Sequence, residues 1–235
     1  MSANPGSITT ISFDGDDTLW DFEKAMRHAL RHSLAELRRL IPVAADSLTI
    51  ETMIAIRNRV AEELRGKVTN LLDVRLAAFK ETLEHIGAPD NALAAHLSDL
   101  YRKQRLENVE LFDDALPILD ALRGRYTLGL VSNGNTYPER CGLEGRFRFV
   151  VFSQDHGIEK PDPRLFKIAM QQAGCSEHEL LHVGDSLRDD VGGAKGAGVR
   201  SVWLNRRRRI NDTKAQPDFE ISSLAELVDI CDKLA

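Results

Sequence analysis

Short apolar runs that stop abruptly at a polar residue recur along this chain. ITTISFD ends at Asp14, YTLGLVSN at Ser132 and Asn133, LLHVGD at Asp185 and RSVWLN at Asn205. Each is rich in β-branched or other large apolar residues and too short for a helix, a pattern that predicts buried parallel strands. VVFS, from Val150 to Ser153, predicts a further short strand. Helical patterns alternate with these runs: DALPILDALRG, PRLFKIAMQQAG, DDVGGAKGAG and SLAELVDICDKLA. The last starts at Ser223 and carries Glu226 three residues on, the spacing of a capping box. The alternation predicts an α/β fold, a Rossmann-like parallel sheet with helices on its faces.

The interval from Asp21 to Glu110 breaks the alternation. It contains no convincing strand, while FEKAMRHALRHSLAELRRLI, ETMIAIRNRVAEEL, LDVRLAAFKETLEHIG and NALAAHLSDLYRKQRL each repeat apolar residues at three- and four-residue spacing. So long an interval cannot be a plain loop. The expected organisation is an α/β core made of residues 1–20 and 111–235, with an inserted α-helical subdomain over 21–110.

Composition narrows the function. Hydrophobic residues at 43% and charged residues at 29% supply an ordinary globular core. Thirty-one basic against 36 acidic residues give a net charge of −5, the wrong sign for a nucleic-acid partner. Cys141, Cys175 and Cys231 form no CxxC pair, so neither a disulfide framework nor a cysteine zinc site is expected, and a reducing compartment fits. MSANPGSI lacks the basic start and apolar stretch of a signal peptide, and no segment approaches the roughly 18 apolar residues of a membrane span. A cytoplasmic protein with no membrane partner is expected.

Candidate chemistry collects at the strand ends. In an open α/β sheet ligands bind outside the carboxyl ends of the strands, and those ends carry Asp14, Ser132 and Asp185. Asp14, Asp16 and Asp17 crowd the turn FDGDDTL, and crowded carboxylates call for a bound cation or a retained proton. Alone, that segment reads equally well as an Asp-rich turn. Followed in order by SNG, by Lys160 in GIEKPDP and by GDSLRDD, it reads as chemistry.

These four motifs resemble those of the haloacid dehalogenase superfamily, specifically its phosphatase branch with a helical cap inserted after the first strand. The resemblance covers essentially the whole chain from Ile8 onward and rests on Asp14, Asp16 and Thr18, on Ser132, on Lys160, and on Gly184 and Asp185 with Asp189 or Asp190. It implies a phosphatase acting on a small phosphorylated metabolite through an aspartyl-phosphate on Asp14. The metal is then Mg²⁺, suited to oxygen ligands and held by the Asp14 carboxylate, the Asp16 backbone carbonyl and Asp185. Asp16 serves as general acid and then base. Lys160 and Ser132 stabilise the phosphoryl oxygens, with Thr18, Asn133 and Gly134 as substrate-binding neighbours. Asp189 and Asp190 compete for one supporting role. Val191 follows Asp190, which favours Asp190 as support behind the metal ligands and leaves Asp189 to helix capping.

Other signals weigh less. His28 and His32 have a metal-compatible spacing, but Arg27 and Arg31 flank them, and a solvated basic face is the better reading. Trp20 fits a core or a site-lining position equally. The run Arg206 to Arg209 reads as a solvated loop with one arginine near the site. Arg65, Lys67 and Arg75 surround a turn at Gly66 which, in capped relatives, faces the catalytic aspartate; they are the expected specificity residues.

The dehalogenases of the family lack the acid two residues after the nucleophile, whereas Asp16 is present. A sugar-phosphate mutase using the same motifs, or a non-catalytic phosphate-binding relative, are the remaining alternatives.

Overall fold

The first apolar run becomes the middle of a sheet. In the computed structural model, which describes residues 7–234, β1 (Thr10–Phe13) is buried along its whole length. It pairs in parallel with β2 (Thr127–Ser132) on one side and β4 (Leu180–Gly184) on the other. β3 (Phe149–Phe152) flanks β2, while β5 (Arg200–Leu204) and β6 (Phe219–Ile221) continue beyond β4, giving the all-parallel order β3-β2-β1-β4-β5-β6. This is the expected α/β Rossmann-like core. Three parallel strand ends therefore set Asp14, Ser132 and Asp185 along one edge.

The chain divides into two compact units, one formed by Phe22–Glu110 and the other by the segments that precede and follow it. The intervening unit is all helical: α1 (Phe22–Leu40), α2 (Pro42–Ala45), α3 (Ile50–Leu64), α4 (Leu71–His85) and α5 (Asn91–Glu107). Thr49, Asn70 and Asp90 cap α3, α4 and α5 by accepting backbone N–H bonds, as short polar side chains do at helix starts. Leu30, Leu37, Met53, Phe79, Leu83 and Leu97 form its core.

Around the sheet run α6 (Ala115–Leu122), α7 (Ser153–His156), α8 (Pro163–Ala173), α9 (Gly192–Gly196) and α10 (Leu227–Leu234). The capping box at Ser223 and Glu226 is present. No helix among the described residues is long and apolar enough to cross a membrane.

The structure departs from the sequence pattern in three places. β6 was not anticipated, because three residues with one fully buried side chain leave no readable period. DDVGGAKGAG is not one regular helix: Leu187–Val191 makes a wide turn in which the Val191 N–H donates to the Ser186 carbonyl, and only Gly192–Gly196 is α-helical. The turn is capped by Ser186, whose Oγ accepts from the Asp189 N–H, so Asp189 is not the cap.

Candidate active site

The loop leaving β1 winds around one carbonyl. The N–H groups of Thr18, Leu19 and Trp20 all donate to the Gly15 oxygen, and Asp17 takes a left-handed conformation (φ 58°) that aspartate tolerates. This winding brings the Trp20 indole back so that Nε1 donates to Asp16 Oδ1 at 2.6 Å. Trp20, 1% exposed, is thus both a core residue and the holder of Asp16. The other Asp16 oxygen lies over Gly134, where a Cβ would come within 2.7 Å of it. The Gly134 N–H donates to Ser132 Oγ.

Lys160, only 2% exposed, donates from Nζ to Asp14 Oδ1 at 2.7 Å, Asp190 Oδ1 at 2.6 Å and the Val131 carbonyl at 2.8 Å. Its backbone is fixed by Asn133, which accepts from the Lys160 N–H (2.8 Å) and donates to the Lys160 carbonyl (2.9 Å). The Asn133 side chain therefore serves lysine placement. Burial alone would lower the lysine pKa, but Asp14 and Asp190 outweigh it and hold the ammonium charged.

Asp190 lies inside the cluster at 1% exposure, packed against Gly184, where a Cβ would stand 2.2 Å from its carboxyl carbon. Its Oδ1 also meets His182 Nε2 at 3.1 Å, and its Oδ2 accepts from the Ser186 N–H. Burial would raise Asp190, yet Lys160 and His182 more than offset it, so its pKa falls. Burial lowers that of His182, which is a neutral imidazole. Because an ionised carboxylate only accepts, Nε2 carries the proton and Nδ1 accepts from Ser12 Oγ, 2.9 Å away. Sequence reading missed both residues; their signal was a polar pair, Ser12 and His182, on two otherwise apolar strands.

Asp14, Asp185 and Asp190 bring carboxylate oxygens within 4.8 Å of one another. Burial, with Asp190 and Asp16 nearby, pushes Asp14 up to about 7 despite Lys160. Asp185 is raised well above the ordinary carboxylate range by burial and by Asp190, Asp14 and Asp17. With Asp190 already satisfied, Asp14 Oδ2 and the Asp16 carbonyl accept no hydrogen bond among the described residues, and Asp185 Oδ2 lies 3.7 Å from Arg209 Nη2. An oxygen-only set carrying surplus negative charge fits a hard divalent cation.

The remaining candidates fall elsewhere. Thr18 Oγ1 is buried without a partner. Arg65 pairs with Glu62 and Lys67 donates to the Glu63 carbonyl, both at the end of α3, whereas Arg75 lies inside the helical unit. The His28 and His32 rings lie 4.6 Å apart, tilted by 47°. Arg207, Arg208 and Arg209 are exposed, as expected of a solvated loop, whereas Arg206 pairs with Asp114 through two bonds of 2.8 and 2.9 Å and lies 4.0 Å over the Phe112 ring. Arg209 donates to the Asp185 carbonyl.

Comparison with known proteins agrees with this geometry. A family model described as haloacid dehalogenase-like hydrolase matches residues 8–198. The chain is 30% identical to a glyceraldehyde 3-phosphate phosphatase of Methanopyrus kandleri, over 97% of this chain and 99% of that one. Among solved structures, HAD-hydrolase YfnB of Bacillus subtilis, bound to magnesium, matches with a TM-score of 0.78 at 28% identity, over 96% of this chain and 99% of that one. A 2-haloacid dehalogenase of Pseudomonas syringae matches with a TM-score of 0.77 at 32% identity, over 97% and 100%. The strand-end acids, the buried lysine and these likenesses converge: the chain belongs to the haloacid dehalogenase-like hydrolase family.

Proposed function

We propose that this protein is a Mg²⁺-dependent phosphatase of a small phosphorylated metabolite in the cytoplasm, working through an aspartyl-phosphate on Asp14. The observation that carries the reading is the division of labour between two carboxylates of one loop. Asp14 is bound to Lys160, and Asp16 is held apart from it by Trp20. One oxygen nucleophile and one separately oriented acid are what two-step phosphoryl transfer asks for.

In the first step Asp14 attacks phosphorus, the P–O bond to the leaving group breaks, and Asp16 gives its proton to the departing alkoxide. In the second, Asp16 takes a proton from water as that water attacks phosphorus, the acyl-phosphate bond breaks, and inorganic phosphate leaves. Lys160 and Ser132 stabilise the phosphoryl oxygens. Asp14, the Asp16 carbonyl and Asp185 would hold Mg²⁺, which would supply the positive charge that lets one anion approach another. Asp190 positions Lys160. The helical unit acts as a cap that selects the leaving group, with Arg65 and Lys67 as candidate contacts.

The test is turnover of an aryl phosphate with Mg²⁺. Asp14→Asn should lose at least about a thousandfold, roughly 4 kcal/mol, and excess chelator should abolish activity. Dehalogenation of a 2-haloacid without phosphate release would overturn the reading.

A further inference from the structure

We infer that the helical unit contains a binding pocket for a small anionic group, a carboxylate or phosphate head, with Arg75 as its principal ligand. A cavity of about 30 Å³ lies among α1, α3, α4 and α5, walled by Leu30, Met53, Phe79 and Tyr101 and bearing Arg57 and Arg75. That volume admits a head group and not a whole metabolite. The Arg75 guanidinium sits 5.1 Å from the Tyr101 ring centre, and its Nη1 is buried with no hydrogen-bond partner.

Charge is the second observation. Several arginines of the unit pair with acids: Arg27 with Glu23 and Glu51, Arg59 with Glu63 and Glu81, Arg39 with Glu36. Arg75 pairs with none among the described residues, and its neighbours are cations. Arg105, 2% exposed, and Arg57 both lie against the Phe22 ring, at 5.8 and 5.2 Å. Burial, then Arg105, pushes the Arg75 pKa down to about 10, which leaves it charged at neutral pH. A half-buried guanidinium with one buried, unmet donor beside like charges is costly to the empty fold. Water can satisfy the donor but cannot balance the charge; an oxyanion does both, and the planar fork of arginine matches its geometry. The apolar walls suit a short alkyl or aromatic attachment. The anion is either a second charged group of the substrate or a free ion.

The inference does not rest on the phosphatase reading, because binding reports it directly. The full chain in excess chelator is titrated with sodium isobutyrate, benzoate or inorganic phosphate, against chloride at equal ionic strength, and followed by calorimetry and thermal unfolding. Saturable binding by at least one probe is expected for the wild type and for Asp14→Asn, with at least a tenfold weakening in Arg75→Met and partial retention in Arg75→Lys. Unliganded Arg75→Met should unfold no lower than the wild type, since a half-buried cation with no acid partner is gone. KM separates the two sources. A tenfold rise in Arg75→Met for a phosphate ester bearing a carboxylate, with none for an aryl phosphate, identifies a substrate group; no change for either, with anion binding lost, identifies a free ion. No saturable binding in the wild type, or binding as tight as the wild type's in both Arg75→Met and Arg75→Gln, overturns the inference. Anion binding retained in a protein that releases no phosphate would fault the phosphatase reading alone.

Discussion

His182 and Asp190 meet with both side chains almost fully buried, Nε2 lying 3.1 Å from Oδ1. The register of β1 and β4 sets Ser12 opposite His182, so a continuous line of contacts runs from Ser12 through His182, Asp190 and Lys160 to Asp14. The imidazole fills a site edge-on to Phe166 and restrains the carboxylate that restrains the lysine. His182→Phe preserves the ring and removes the hydrogen bonds. It should cost about 1–3 kcal/mol in denaturant unfolding and lower kcat more than it raises KM. Wild-type stability and kcat would show that the bond to Asp190 is idle.

Carboxylate crowding gives Asp185→Asn a sign that depends on metal. Without divalent cation the variant should be the more stable protein, because one of three mutually repelling carboxylates is gone. With Mg²⁺ at about a hundred times its Kd the wild type should gain about 2.7 kcal/mol and the variant much less. Thermal unfolding in chelator and in Mg²⁺ measures both; a variant that responds to Mg²⁺ like the wild type would remove Asp185 from the metal site.

Gly134→Ala tests the placement of Asp16. A Cβ would press on Asp16 Oδ2, the free end of a side chain anchored at Oδ1 by Trp20. Stability should change by less than about 1 kcal/mol, since a side-chain terminus can yield. Alkyl phosphate turnover, which depends on proton donation to a poor leaving group, should fall at least about tenfold more than aryl phosphate turnover. Equal losses would assign Asp16 to metal organisation.

Asp114 supplies the pH dependence. It accepts from Arg206, from Ser223 Oγ and from the Leu224 N–H, tying the start of α6 to the segment after β5 and to the start of the last helix. Burial would raise its pKa, but these donors, Arg206 foremost, lower it. A folded-state pKa below the unfolded value means the stabilisation is complete above the ordinary aspartate pKa and is lost as pH falls below about 4. Asp114→Asn should therefore cost about 2 kcal/mol at pH 7, with the gap to wild type closing below pH 4. A gap independent of pH would deny the role of charge.

What could be read from sequence follows from where the physics is local. The strands of Phe13 and Val183 are continuous apolar runs that stop at acids, so both their burial and the edge bearing Asp14 and Asp185 were visible. The capping box at Ser223 and Glu226 spans three residues and was equally visible. Asn133 clasping Lys160 from 27 residues away, Ser12 facing His182 and Arg206 folding onto Phe112 depend on register and crossover, which no local window contains. Of the arginine run, only the pairing of Arg206 escaped the sequence, because its acid comes in from residue 114 to meet residue 206.

The strand order carries a consequence for synthesis. β1 is made first among the strands, yet its partners begin at residues 127 and 180, so it has no hydrogen-bonding neighbour until most of the chain has left the ribosome. The helices between Phe22 and Glu110 pack on one another and depend on no later residue for their core. Their low contact order favours early, autonomous folding, and the sheet closes around β1 afterwards. Nascent chains stalled at about residue 150, with the helical segment clear of the exit tunnel and β2 still inside it, should thus protect the helical segment from protease while Thr10–Phe13 stays cleavable.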